Sequence, residues 1–323
     1  MKINAILLNP TIDTIYEIND FKVGDTFKVN RKEVFPVGKA ISFSLAAREL
    51  EKKIKLKVIA FIGKDEINLY ERFLRSKNID FKFIEIDGKT RSNKTINDPL
   101  NKTTTHIRER GFQLNKNKIQ EMKKILEKEI EKEDLYIFSG SIPPNMDDNI
   151  YYELIQLCKK KGAICALDSS GKALINGLKA SPHIIKPNLI ELSQILDLEE
   201  FKSLKFKKLE KDCHKIIKNT KPLLREGIEI ILITLGSKGA IILTSKYASY
   251  GKIEIKNVID TVGSGDSFLG GFLVKYIQGK SLEECFKYAL AAGAANTQKY
   301  GPGIFDSDLV NQLINRIELI KID

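Results

Sequence analysis

Short apolar runs recur along the chain, separated by longer stretches that alternate apolar and charged positions at helical spacing. Residues 3–8, 58–61, 135–138, 163–167, 184–186 and 230–234 are dominated by Ile, Leu, Val and Ala. Each leads through a turn of Gly, Pro or Ser towards a helical pattern, among them 41–53, 70–77, 150–161, 189–196 and 282–298. Near-continuous apolar strands between helices predict an α/β fold, with a mostly parallel central sheet covered on both faces in three layers. Two stretches, at about 14–35 and 79–107, keep a different rhythm of strict alternation, as in Ile15, Glu17 and Phe81, Phe83. Turn signals at Gly24-Asp25, Asp87-Gly88 and Asp98-Pro99 divide them. They predict a small antiparallel sheet, built from two insertions, that stands off a single domain spanning 1–323. In an enzyme such a sheet is a lid.

Composition narrows the classes. Of the 323 residues 42% are hydrophobic and 29% charged, which is ordinary for a globular chain. No apolar run reaches the ~18 residues of a membrane span, and the strand-like start of the chain does not read as a signal peptide. Four scattered cysteines without a CxxC pair favour a reducing, cytoplasmic setting. Three isolated histidines give no zinc spacing. The net charge of +11 is spread over helices in which acids interleave with lysines, as at 123–129. That is the pattern of solvated faces, and no basic-aromatic strip for stacking bases accompanies it. A nucleic-acid partner is therefore not expected.

One turn carries candidate chemistry. Asp260-Thr261-Val262-Gly263-Ser264-Gly265-Asp266-Ser267 opens directly into the apolar run 268–276. Glycines let the backbone approach a ligand, and the amides of Gly263, Ser264 and Gly265 would face an anion at the positive end of a helix. Asp266 would repel that anion, which makes sense if it takes a proton from an attacking hydroxyl. The same residues also read as a capped helix start, and on this segment alone both readings stand. GxxxxGK[ST], GxGxxG and GxSxG are all missing, which removes Walker, dinucleotide and hydrolase-elbow readings. Segments with functional character remain at expected strand ends, where open α/β sheets bind ligands. They are Asn9-Pro10-xx-Asp13, Val37-Gly38-Lys39, Thr90-Arg91-Ser92-Asn93, Ser139-Gly140-Ser141-Ile142-Pro143-Pro144, Lys186-Pro187-Asn188-xx-Glu191 and Thr234-Leu235-Gly236-Ser237-Lys238-Gly239.

Taken in this order, the segments resemble the PfkB-type, ribokinase-like carbohydrate kinases over essentially the whole chain. The likeness is strongest to the branch holding 1-phosphofructokinases and tagatose-6-phosphate kinases. The resemblance implies a ribokinase-like sandwich with a β lid, ATP and Mg2+ as cofactors, and a sugar phosphate as substrate. It implies Asp266 as base, with Gly263, Ser264 and Gly265 as the anion hole. Lys186, Asn188 and Glu191 would serve the nucleotide phosphates, Glu191 reaching magnesium through water. Thr234, Gly236, Lys238, Gly239 and Asn296 would contact the nucleotide. Asp13, Gly38, Lys39, Ser42, Arg91, Asn93 and Ser141 would line the sugar site, with Lys39 and Arg91 suited to its phosphate. The exposed lid face is a candidate homodimer surface.

The chain also departs from the family pattern. The usual GGKGxN loop reads Val37-Gly38-Lys39-Ala40-Ile41-Ser42, and Arg108-Glu109-Arg110-Gly111 replaces an acidic segment after the lid. The expected reaction is phosphorylation of fructose 1-phosphate at its 6-hydroxyl. Tagatose 6-phosphate, an unphosphorylated sugar or a nucleoside are the rival substrates. A sugar-phosphate sensor without catalysis is the rival of another class.

Overall fold

The protein is described by a computed structural model covering residues 1–204, 206 and 208–322. In chain order the strands are β1 (Ile3–Leu7), β2 (Thr11–Glu17), β3 (Arg31–Val37), β4 (Leu56–Gly63), β5 (Asp80–Ile86), β6 (Arg91–Asp98) and β7 (Thr103–Ile107). They continue as β8 (Leu135–Ser139), β9 (Ile164–Asp168), β10 (Ile184–Ile185), β11 (Ile230–Thr234), β12 (Ala240–Leu243), β13 (Ala248–Lys252) and β14 (Glu318–Lys321). The helices are α1 (Lys39–Leu50), α2 (Ile67–Ser76), α3 (Lys116–Glu129), α4 (Ile150–Lys160) and α5 (Gly171–Leu178). The rest are α6 (Leu189–Leu196), α7 (Leu209–Arg225), α8 (Ser264–Ile277), α9 (Leu282–Asn296) and α10 (Ser307–Ile314).

Ten strands form the large sheet in the order β14-β13-β12-β11-β10-β9-β8-β1-β4-β5. Its run from β11 to β5 is parallel, and β1 is flanked within it on both sides: Ala5 is paired with Val58 on one side and Ile137 on the other. Alternate residues of β1 serve opposite layers. Ile3, Ala5 and Leu7 pack with α1, α8, α9 and α10, while Ile6 packs with α3 to α7. Burial on both faces is why these strands lack polar alternation. Among the described residues no helix is long and apolar enough to cross a membrane.

Three expectations need correction. Of the stretch 79–107, the first strand does not join the small sheet: β5 pairs with β4 in parallel as an edge of the large sheet, and only β6 and β7 belong to the small one. Its alternation comes from one edge strand serving two layers, with Phe81 and Phe83 on the α2 side and Ile84 and Ile86 on the other. The small sheet, ordered β3-β2-β6-β7, is mixed rather than antiparallel. Its central pair β2–β6 is parallel, because the two strands come from separate excursions of the chain. Finally, the large sheet ends in β12, β13 and β14, which are antiparallel and were not foreseen. The parallel strands β1, β8, β9, β10 and β11 end on one edge, delivering Asn9, Ser139, Asp168, Lys186 and Thr234 to the same crevice.

Candidate active site

The turn before α8 is held in a single conformation by buried polar groups. Gly263 sits in the left-handed region with φ 79°, and a Cβ there would run into Pro302, so no other residue fits. The Asp260 carboxylate accepts the Val262 amide at 3.0 Å and the Gly301 amide at 3.2 Å. The Asn296 side chain donates to the Val262 carbonyl at 2.8 Å, and its oxygen accepts from Ser267 Oγ and the Gly303 amide, both at 2.8 Å. The Ser264 amide is spent within the turn, on the Thr261 carbonyl at 3.2 Å. Among the described residues the amides of Gly263 and Gly265 find no hydrogen-bond partner. So two members of the expected trio, rather than three, remain for an anion at the helix N-terminus.

Asp266 lies in the first turn of α8 and is 9% exposed. Burial pushes its carboxyl up to about 7; the fields of Asp168 and Asp13 act in the same direction, and Lys39 and Lys186 oppose them. Asp168, at the end of β9 and 1% exposed, is the hub of the charges around it. Its Oδ1 meets Lys39 Nζ at 2.9 Å and Lys186 Nζ at 3.2 Å, while Oδ2 has no partner. Burial alone would raise this carboxyl, but the two ammoniums outweigh it and hold it below the usual range. Burial likewise works against the Lys39 ammonium, yet Asp168, Asp266 and Glu191 together hold it above its ordinary value. Lys186 Nζ lies 3.5 Å from where a Cβ on Gly265 would stand, so the missing side chain leaves the amine room over the turn.

Asn188 and Glu191 cap α6 reciprocally. Asn188 Oδ1 accepts the Glu191 amide and Glu191 Oε2 accepts the Asn188 amide, each at 2.9 Å. Burial raises the Glu191 carboxyl, with Lys39 opposing. An isolated β-bridge joins Asn188 to Thr234. Beside them opens a cavity of about 560 Å³, lined by Asn188, Ser264 and Gly265 and by the apolar side chains of Ile253, Ile255, Val258, Phe268 and Leu290. Thr234, Gly236 and Gly239 line it as expected. Lys238 does not: it is exposed, and what it contributes is its carbonyl, which accepts Tyr250 Oη at 2.6 Å. Asn296 does not either. It is 0% exposed and its amide is consumed by the turn, so Gly293, Ala294 and Thr297, on another face of α9 and just beyond it, meet the cavity instead.

The small sheet brings the sugar-side candidates together on the other flank. Asp13 and Asn93 are register partners on β2 and β6, and Asn93 Nδ2 donates to Asp13 Oδ1 at 3.0 Å. Thr11 Oγ1 donates to the same oxygen at 2.9 Å. Burial raises the Asp13 carboxyl; those two hydrogen bonds and the charges of Arg108 and Arg91 offset part of the rise. Gly38, with φ 140°, caps α1. Ser141 Oγ accepts Asn9 Nδ2 at 3.2 Å. Two residues are differently employed than expected. Arg91 donates to the carbonyls of Pro10 at 3.1 Å, Asn9 at 3.0 Å and Glu109 at 3.3 Å, which ties β6 to its neighbours. Ser42, 2% exposed, turns its hydroxyl back onto the Gly38 carbonyl at 3.2 Å.

The pfkB family carbohydrate kinase model matches residues 7–308. The chain belongs to the pfkB family. Members are kinases that transfer a phosphoryl group to an alcohol, so the protein is an enzyme of that kind. The 1-phosphofructokinase of Bacillus subtilis is 25% identical over 99% of this chain and 100% of its own length. The tagatose-6-phosphate kinase of Staphylococcus epidermidis is 28% identical over 98% of this chain and 99% of its own. Among solved structures, phosphofructokinase-2 from Escherichia coli with substrates and products gives a TM-score of 0.86 at 23% identity, covering 98% of this chain and 99% of that one. Ribokinase from Thermotoga maritima gives 0.72 at 20%, covering 98% and 100%. The fold is therefore ribokinase-like.

Sequence reasoning passed over Asp168, Asp260 and Asn9. Asp168 stood inside a strand-to-turn segment that read as scaffolding, and only the fold brings Lys39 and Lys186 to it across 129 and 18 positions. Asn9 opens a recognised motif, yet its part is to tie loops: its Nδ2 reaches the Arg110 carbonyl at 3.1 Å and the Ile142 carbonyl at 3.3 Å. The cavity wall at residues 252–256 carries no motif at all.

Proposed function

We propose that this pfkB-family enzyme phosphorylates a hexose phosphate with ATP, with fructose 1-phosphate as preferred substrate and its 6-hydroxyl as acceptor. The observation that carries the reading is the placement of Asp266. This buried carboxylate is raised to about 7, lies in the first turn of α8 directly after the amides of Gly263 and Gly265, and feels the charge of Asp13. A base poised there takes the hydroxyl proton as the oxygen attacks the terminal phosphate. The two amides, the helix dipole and Lys186 stabilise charge that grows on the transferring group. The apolar side chains in the wall of the 560 Å³ cavity suit a purine ring, and Ser264 and Gly265 in the same wall bring it against the turn.

Magnesium fits the donors present. Asp168 Oδ2 is buried without a partner, and the capping hydrogen bond of Glu191 occupies only Oε2. Magnesium keeps several waters and needs one or two carboxylates plus substrate phosphates. Glu191, through water, and Asp168 would hold it. When bound, the ion would neutralise charge on the phosphates. Lys39 and Lys186 balance the remaining negative charge and keep Asp168 ionised.

The substrate's own phosphate needs cations not already spent. Arg91 is committed to three carbonyls, and Lys39 to Asp168. Arg108 acts on Asp13, on Arg91 and on His106, so it lies close to the sugar flank. With Arg110 it is the candidate phosphate grip. An Arg108→Ala/Arg110→Ala enzyme should raise KM for the sugar phosphate by ~10-fold or more, the loss of one charge-assisted hydrogen bond, with KM for ATP unchanged. Equal KM values in variant and wild type would remove these arginines from the site. The reaction itself is tested by ADP release over a panel of fructose 1-phosphate, tagatose 6-phosphate, fructose 6-phosphate and free fructose. Fastest turnover on fructose 1-phosphate supports the reading, preference for another sugar overturns the substrate, and no turnover on any favours a sensor.

A further inference from the structure

Four residues after α9, Tyr300 to Gly303, touch three parts of the site. On the small sheet, Tyr300 Oη donates to Glu17 Oε2 at 2.5 Å, and the Arg31 guanidinium stands 4.6 Å from the centre of the Tyr300 ring. Phe35 of the same sheet packs on Gly301, where a Cβ would lie 2.7 Å from its Cζ. On the phosphate turn, the Gly301 amide binds Asp260, Pro302 covers Gly263, and the Gly303 amide binds Asn296. On α1, Gly303 lies against the Ser42 carbonyl and Leu45. Burial and then the Glu17 carboxylate push the Tyr300 phenol up to about 12, so it keeps its proton and acts as donor at all ordinary pH.

This strap converts a position of the lid into a position of the turn. Its lid end rests on one hydroxyl–carboxylate bond, one stacked cation and the packing of Phe35 on Gly301, the first two at residues open to solvent. Its turn end is buried and fully hydrogen-bonded. Tyr300 thus connects β2 and β3 through Pro302 and the amides of Gly301 and Gly303 to the groups that hold Val262 and Gly263.

We propose that Tyr300 is a positioning residue whose bond to Glu17 couples lid placement to the geometry of the Gly263–Asp266 turn, so that an ordered lid completes the anion hole. This rests on the kinase reading above. Without the bond the turn would sample other positions, and phosphoryl transfer, which needs the amides in place, would suffer more than nucleotide binding.

The test compares Tyr300→Phe, Glu17→Gln and the double variant with the wild type. Tyr300→Phe keeps the ring, the stacking and Gly301 packing, so folding is not at issue. Turnover of the wild type on the sugar-phosphate panel judges the kinase reading separately. Given turnover, each single variant should lower kcat severalfold with KM for ATP held within twofold, and the double variant should be no worse than either single. Additive losses, or an unchanged kcat, overturn the coupling. Amide hydrogen exchange needs no turnover. In Tyr300→Phe, exchange should quicken both in β2 and at Val262, Ser264 and Ser267, whose amides are bonded in the wild type. Faster exchange in β2 alone, or in neither segment, overturns the proposal whether or not the enzyme turns over.

Discussion

Asp266→Asn should lower kcat by about 10²- to 10⁴-fold, the usual range for a positioned general base, while leaving ATP affinity close to that of the wild type. The amide keeps the shape of the carboxylate but takes no proton. It also removes a negative charge beside the phosphate turn, so nucleotide binding gains rather than loses. The pH dependence follows from the same burial. With the Asp266 carboxyl raised to about 7, kcat/KM for the wild type should climb through neutral pH and level off above it. Stability should move the other way. A group whose folded pKa lies above its unfolded one is protonated more readily in the fold. Its contribution therefore decays as pH rises from about 4 to about 7. Asp266→Asn should thus unfold at a higher temperature than the wild type at pH 8, with the gain vanishing near pH 4. Single-turnover kinetics and melting curves at the two pH values check both halves. A variant with near-normal kcat would end the assignment of the base.

The second large effect is expected at Asp168. Asp168→Asn leaves Lys186, only 5% exposed, and Lys39 without the charge on which both converge. Removing one partner of a buried pair typically costs about 3–5 kcal/mol, and Lys39, with 35% of its side chain accessible, recovers part of that through water. The urea midpoint at pH 7 should fall accordingly. Because the Asp168 carboxyl is held below its unfolded value, its contribution is present above that value and lost as pH falls through the folded one. Wild type and variant should therefore converge in acid. Catalysis should change in a directed manner as well. Asp168 raises Asp266, while Lys39 and Lys186 lower it. The variant loses the first and unmasks the others, so the rise of kcat/KM should move to lower pH. An unchanged urea midpoint, or a rise moved to higher pH, contradicts the hub role of Asp168.

The sequence carried the layers of the fold and the order of the site segments, because both rest on local chemistry. Short apolar runs such as Ile230–Thr234, set between turn residues and helical patterns, read as strands buried on two faces, and a glycine turn entering an apolar helix places its amides at a helix start. It failed where one pattern has two causes. The alternation of β5 looked like a lid strand because an edge strand under two layers shows the same period as a half-solvated one. Asn296 was expected at the nucleotide from the family resemblance alone, and its helix position does not reveal that it faces the turn instead. Ser42 and Arg91 carried the right chemical groups, but neighbouring carbonyls had already claimed them.

By itself, then, the sequence determined the α/β class, the likeness to the family and the glycine turn that opens α8, all of which follow from residues close together in the chain. The tertiary structure alone decided the electrostatics. Burial and the field of Asp168 raise Asp266, and Lys39 and Lys186, brought to Asp168 from separate elements, oppose them. Burial and distance depend on packing between distant segments, and no spacing along the chain encodes them.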